Sequence, residues 1–118
     1  MAKKQTAGRE RLGAFAPQFA TFNDDVLFGE VWSRENEMSA HDRSLITIAA
    51  LISTGNTEQL GDHLRIGKGN GITREEIVEE ITQLAFYTGW PKAWSAFNRA
   101  KEVWGEPEEP GGETSGAE

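Results

Sequence analysis

The chain has 118 residues, 12 Lys and Arg against 19 Asp and Glu, a formal charge of −7, two His and no Cys. That length suits one domain, and the missing cysteine excludes disulfides, thiolate metal sites, cysteine nucleophiles and dithiol redox chemistry. Five acids, Glu106, Glu108, Glu109, Glu113 and Glu118, sit in a final stretch without Lys or Arg, which leaves fourteen acids against twelve bases elsewhere. No basic face is available to displace counterions from phosphates, so nucleic acid is not an expected partner.

The N-terminal Met1-Ala2-Lys3-Lys4 carries charge with no apolar stretch behind it, and the longest strongly apolar segment, 45–52, falls far short of a membrane span. A soluble cytoplasmic protein with no membrane partner is the expectation. Residues 1–8 read as a flexible N-terminus, followed by two short helices around 17–22 and 24–32. Ser39 with Asp42 three residues on forms a variant capping box, and an apolar run follows until Gly55 stops it. About sixteen residues lie between cap and stop, too many for a strand, which usually runs about four to eight. Apolar nearly all round, this helix is expected to be buried on every side.

A further helix opens at Thr57, with Leu60, His63, Leu64 and Gly67 on one face, and ends at Asn70-Gly71. Thr73 with Glu76 is a full capping box for a helix carrying Ile77, Ile81 and Leu84 to Gly89, and Pro91 then opens a last helix bearing Trp94, Phe97 and Trp104. Residues 105–118, rich in Gly, Pro, Glu and Ser, read as a disordered acidic tail. The fold class is therefore all-α, a small helical bundle over residues 9–104. Aromatic residues form two groups, 15–32 and 86–104, which the sequence suggests meet in space. So much apolar surface in so short a chain predicts an obligate oligomer.

His63 is placed like a working histidine, on the inward face of its helix, where burial and a neighbouring carboxylate pull its pKa in opposite directions. An interior histidine with satisfied hydrogen bonds is the other reading. His41, in a polar helix start, reads as a surface residue. No His-x-x-x-His or His-Glu-x-x-His pattern exists, so no metal is expected. Gly67-Lys68-Gly69-Asn70-Gly71 follows a helix and lacks the Gly-Lys-Ser/Thr ending of a phosphate loop; it reads as a helix stop.

Five segments in order, Phe28-Gly29-Glu30-Val31-Trp32-Ser33-Arg34, Asp42-Arg43-Ser44-Leu45, Gly55-x-x-Glu58-x-Leu60-x-x-His63, Asn70-Gly71-Ile72-Thr73-x-Glu75-Glu76-Ile77 and Tyr87-x-Gly89-x-Pro91, resemble the carboxymuconolactone decarboxylase family. The alkylhydroperoxidase D-like branch of that family uses Cys-x-x-Cys-x-x-x-His with a preceding relay Glu. Asn56, Gln59 and His63 occupy those positions here, and Ser44 stands at the relay position. With no thiolate to attack a peroxide, the chain is similar instead to the γ-carboxymuconolactone decarboxylase branch.

The resemblance implies an alkylhydroperoxidase D-like helical fold without the Cys-x-x-Cys, assembled as a trimer or hexamer. It implies a cofactor-free carboxy-lyase of aromatic-compound catabolism, acting on a carboxylated lactone or related enolisable acid. Loss of carbon dioxide would send the electron pair through the ring double bond to the lactone carbonyl, and the resulting dienolate would be protonated on carbon. Such a site needs oxyanion donors, a cation for the carboxylate and a proton source. On this basis His63 is assigned as proton donor or oxyanion stabiliser, Glu30 as its orienting or reprotonating group, and Arg43 as a bidentate carboxylate anchor. Tyr87 and Trp90 are assigned as the pocket wall. The alternative is a non-catalytic oligomeric scaffold or small-ligand binder of the same family.

Overall fold

The computed structural model describes residues 5–105, all of whose regular structure is helical. The tail expected to be disordered lies, apart from Gly105, outside the described residues. The chain forms two compact units, Met1–Arg43 and Ser44–Glu118.

In the first unit, α1 (Ala7–Leu12) and α2 (Pro17–Thr21) are followed directly by a π-helical segment, Phe22–Val31. The Trp32 N–H donates to the Leu27 carbonyl at 2.9 Å, five residues back. Two α-helices were expected around 17–32, and nothing in the sequence signals the extra residue per turn. Phe28 and Trp32 stack with ring centroids 5.9 Å apart. Asp24 holds the start of helix α1. The buried Asp24 carboxylate accepts the backbone N–H of Gly8 at 2.9 Å and of Arg9 at 3.0 Å, and the Asn23 side-chain amide at 3.0 Å. Burial pushes its pKa up, but these hydrogen bonds and the Arg9 charge outweigh that and leave it below the ordinary carboxylate value.

The second unit holds most of α3 (Ala40–Thr54), then α4 (Thr57–Gly69), α5 (Arg74–Thr88) and α6 (Trp90–Trp104). The expected caps are present. The Ser39 hydroxyl accepts the Asp42 N–H at 3.1 Å, and Thr73 and Glu76 exchange both capping-box bonds at 3.0 Å. Gly55 and Gly89, at φ +76° and +107°, turn the chain where a side chain would be strained. Helix α6 packs against both α4 and α5. The core is aliphatic: Ile48, Ile52, Leu60, Leu64, Ile72, Ile77 and Ile81, closed by Ala85, Ala93, Ala96 and Ala100. Two long-range bonds tie its end, from the Trp104 indole N–H to the Ile72 carbonyl at 3.1 Å and from the Lys68 ammonium to the Val103 carbonyl at 3.2 Å.

Helix α3 corrects one expectation. Its buried residues, Ser44, Ile48 and Ile52, recur every fourth position along a single face, while Ile46 is exposed. Ala49 and Ala50, which made the run read as apolar all round, are small enough to sit at the edge of that face or outside it.

Gly8 has no space for a side chain. A Cβ there would lie 2.7 Å from Asp24 Oδ1 and 3.0 Å from the Ala20 carbonyl oxygen. Gly8→Ala is expected to destabilise the first unit by roughly 1–3 kcal/mol, the usual cost of overpacking, seen as faster proteolysis within residues 5–43. Because the folded pKa of Asp24 is depressed, its stabilisation is present above the ordinary carboxylate range and is lost as pH falls through the lower folded value. Asp24→Asn should therefore weaken the unit at pH 7 and have little effect in strong acid, as read by thermal melts across pH.

Candidate active site

Helix α4 positions His63. Leu60, Leu64 and Gly67 point into the core, so His63, one residue before Leu64, sits at the edge of the buried face and is half-buried. Burial lowers its pKa below the ordinary histidine value, partly opposed by the Asp62 charge, so the neutral imidazole is the form present at pH 7. A neutral imidazole has one N–H to donate and one nitrogen to accept.

Glu80, which the sequence pattern did not single out, is the second perturbed group of this unit. Its carboxyl is pushed up to about 7 by burial. Among the described residues no donor reaches its buried Oε1. Its position gave the signal, since Glu80 adjoins Ile81 and follows Ile77 by three on the apolar side of α5. His63 and Glu80 are thus pushed by the same cause, desolvation, toward their neutral forms.

The other sequence-predicted residues are distributed differently. Glu30, at the end of the π-helical segment, is exposed. Arg43, in the first turn of α3, donates from Nε to the Met38 carbonyl at 3.2 Å and from Nη2 to the Arg34 carbonyl at 2.9 Å. Its guanidinium thus ties down the turn before the helix, a structural task not read from the sequence. Both belong to the first unit, whereas His63, Tyr87 and Trp90 belong to the second. Tyr87 and Trp90 flank Gly89 and are largely exposed, and the Phe86 and Trp90 rings meet edge to face at 5.6 Å. His41 pairs with Asp42 at 2.9 Å, as its polar setting suggested. Ser44, at the position of the relay Glu in the peroxidase branch, is buried and accepts the Asn70 amide at 3.0 Å.

Among the described residues, the concavities of the second unit include the following two. A cavity of about 320 Å³ between α5 and α6 is lined by Thr82, Ala85, Trp90, Ala93, Trp94 and Phe97, and takes in Trp90 alone of the predicted site residues. An open cleft between α4 and α6 is lined by Arg65, Lys68, Gly69, Glu102 and Val103, where Arg65 is paired with Asp62 at 2.7 Å. Among the described residues no group of three or more His, Asp or Glu converges as a metal site would require.

Residues 17–102 match the carboxymuconolactone decarboxylase family. The chain belongs to that family. It is 39% identical over 94 residues to the 4-carboxymuconolactone decarboxylase of Acinetobacter baylyi, covering 80% of this chain and 69% of the relative. It is 32% identical over 87 residues to an uncharacterized 15.0 kDa protein of Paracoccus denitrificans, covering 72% and 64%. It is 35% identical over 69 residues to the nitrosuccinic acid decarboxylase of Metarhizium robertsii, covering 58% and 48%. The chain thus spans from about half to about two thirds of these relatives' length, and two of the three are named as decarboxylases. No helix among the described residues is long and apolar enough to cross a membrane.

Glu80 makes stability depend on pH with a definite sign. Its folded pKa is raised, so the contribution of the neutral carboxyl is fully present below the ordinary carboxylate value and is lost as pH rises through about 7. Glu80→Gln removes the charge without removing the volume. Its melting temperature relative to the unsubstituted chain should be near unchanged at pH 5 and raised by several degrees at pH 8, as thermal melts at the two pH values would show.

Proposed function

We propose that this chain is a cofactor-free decarboxylase of the γ-carboxymuconolactone decarboxylase branch, with an alkylhydroperoxidase D-like fold. In this reading it works in the cytoplasm, in aromatic-compound catabolism, as a trimer or hexamer. The substrate is a carboxylated lactone or related enolisable acid. The observation that carries this reading is His63, a half-buried imidazole kept neutral by desolvation, in a family whose named relatives remove carboxyl groups. The names of those relatives give substrates with different electron sinks, a lactone carbonyl in one and a nitro group in the other. Either can take the electron pair released with carbon dioxide, which is why the reaction needs no metal or organic cofactor.

In the proposed cycle the N–H of neutral His63 stabilises the oxyanion as charge moves onto the substrate, or His63 takes up a proton and delivers it to carbon as the imidazolium, returning to the neutral ring. Arg43 anchors a carboxylate, Glu30 orients or reprotonates His63, and Tyr87 and Trp90 form the wall. A neutral histidine suits the oxyanion role because it donates a hydrogen bond without stabilising the ground-state carboxylate as strongly as a cation would.

Carbon dioxide release from γ-carboxymuconolactone tests the reading. His63→Ala should lower turnover about 100-fold to 10,000-fold while leaving the helical content intact. His63→Gln keeps a donor and approximate volume but cannot cycle a proton. Near-complete retention of activity in the Gln variant would make His63 a hydrogen-bond donor; loss in both variants would make it the acid-base group. If His63 acts as the neutral oxyanion donor, the rate should fall in acid as the imidazole protonates, with a midpoint below the ordinary histidine value; if it delivers the proton as the imidazolium, the rate should rise there instead. No turnover of any carboxylated lactone by the unsubstituted chain would favour a non-catalytic scaffold or small-ligand binder.

A further inference from the structure

Two guanidinium groups converge where α4 and α6 pack side by side. A Cβ on the buried Gly61 would lie 3.4 Å from Arg99 Nη1, and 3.8 Å and 3.9 Å from Nη2 and Nη1 of Arg65. The two cations thus meet over bare backbone, and a side chain at residue 61 would crowd both. Gly61 lies beside Arg99 and Lys68 beside Val103, so the two helices run in the same direction. Toward their C-terminal ends the seam opens into the cleft of about 530 Å³ lined by Arg65, Lys68, Gly69, Glu102 and Val103. Arg65 belongs to both places.

Donors outnumber acceptors at this seam. A guanidinium carries five N–H donors, and Arg65 spends Nη2 on Asp62 at 2.7 Å, which leaves the rest of its fork unused. Arg99 is half-buried, and among the described residues its guanidinium has no hydrogen-bond acceptor or ion-pair partner. Glu102, three residues on along α6, has the spacing to pair with Arg99 but lines the cleft instead. Two like charges side by side, one of them half-buried and unpaired, are unfavourable until an anion joins them. Along the seam Arg65, Lys68 and Arg99 stand against Asp62 and Glu102, which leaves one positive charge in excess. That excess sets the charge of the ligand. A phosphate dianion would exceed it, in a chain whose formal charge is already −7. A carboxylate matches it, and its two oxygens fit the fork of a guanidinium. The aliphatic stems of Arg65 and Lys68, with Val103, offer the body of such a ligand an apolar wall in the cleft. Residues 61 and 65 each stand two positions from His63, about 200° round the helix, so this site and the imidazole lie on opposite sides of α4.

We propose that Arg65 and Arg99 form a binding site for a small, singly charged carboxylate over Gly61, with the body of the ligand in the α4–α6 cleft. The site is separate from His63 and does not depend on the decarboxylase reading.

The test uses the full chain, nitrogen-labelled, with benzoate as the probe and benzamide as its uncharged counterpart of the same shape. The arginine Nε–H signals in the NMR spectrum report the contact, each assigned by its loss in the matching substitution. The result expected is that benzoate shifts the Arg65 and Arg99 signals saturably, with a dissociation constant on the order of 1 mM, while benzamide leaves them in place. Arg65→Gln and Arg99→Gln should each weaken benzoate about tenfold or more, read on the remaining arginine. Lys92→Gln makes the same change of charge beside Gly55 and should leave the affinity unchanged. Shifts spread alike over the other arginines, equal shifts with benzamide, or undiminished affinity in both Gln variants would overturn the site. Tighter binding of inorganic phosphate than of benzoate, read on the same two signals, would overturn the class of ligand. Binding that appears only after Glu106, Glu108 and Glu109 are changed to Gln would also overturn the proposal, since the arginines would then belong to the chain's own acidic end. If Arg99→Gln loses helical circular dichroism, Arg99→Lys takes its place; it keeps the charge, removes the fork and should show the same weakening.

Discussion

The second unit depends on helix α4 having no side chain at residue 67. A Cβ there would lie 2.8 Å from Ile72 Cδ1 and 3.1 Å from Ile48 Cδ1, so α3 and the turn before α5 come together over bare backbone. On another side of the same helix, Gly61 leaves room for Arg99, whose guanidinium would be 3.4 Å from a Cβ. The close approach at Gly67 settles the rotation of α4, and Leu60 and Leu64 go inward. His63, about 100° round the helix from Leu64, is thereby held at the border of the core rather than in it or in water. The half-burial that keeps its imidazole neutral follows from backbone packing several residues away.

Two buried carboxyls show how far hydrogen bonding, and not burial alone, decides what an acid does. Asp24 and Glu80 are both desolvated, which raises both pKa values. Asp24 receives two backbone N–H groups, an amide and the Arg9 charge, so its ionised form prevails and acts as the fastener of α1. Glu80 has no such donors among the described residues, and its neutral form is favoured up to about pH 7. One side chain is structural because it is satisfied; the other is responsive because it is not.

The helix plan was legible because its signals are local. Ser39, Thr73 with Glu76, Gly55, Gly89 and Pro91 act on backbone groups within one turn, and each falls where the structure starts or stops a helix. The one-sided burial of α3 was not legible, since which of Ile46 and Ile48 goes inward depends on Gly67 and Ile72, about twenty residues on. The π-helical register of Phe22–Val31 carries no sequence signal either, and the division at Arg43 falls within a continuous helix.

For the site, the amino-acid sequence by itself determined the family, through five ordered motifs, and the exclusion of thiol chemistry, through the missing cysteines. It also placed His63 beside the inward residues of α4, because helical periodicity is a property of the backbone alone. Tertiary structure decided the rest. It gave Arg43 the carbonyls of Arg34 and Met38, raised Glu80 to about 7, and left Phe86, Tyr87, Trp90 and Trp94 outside an aliphatic core. The physical reason is range: a cap or turn is satisfied by groups one turn away, whereas burial and proton affinity are set by whatever residues distant in the chain are packed alongside.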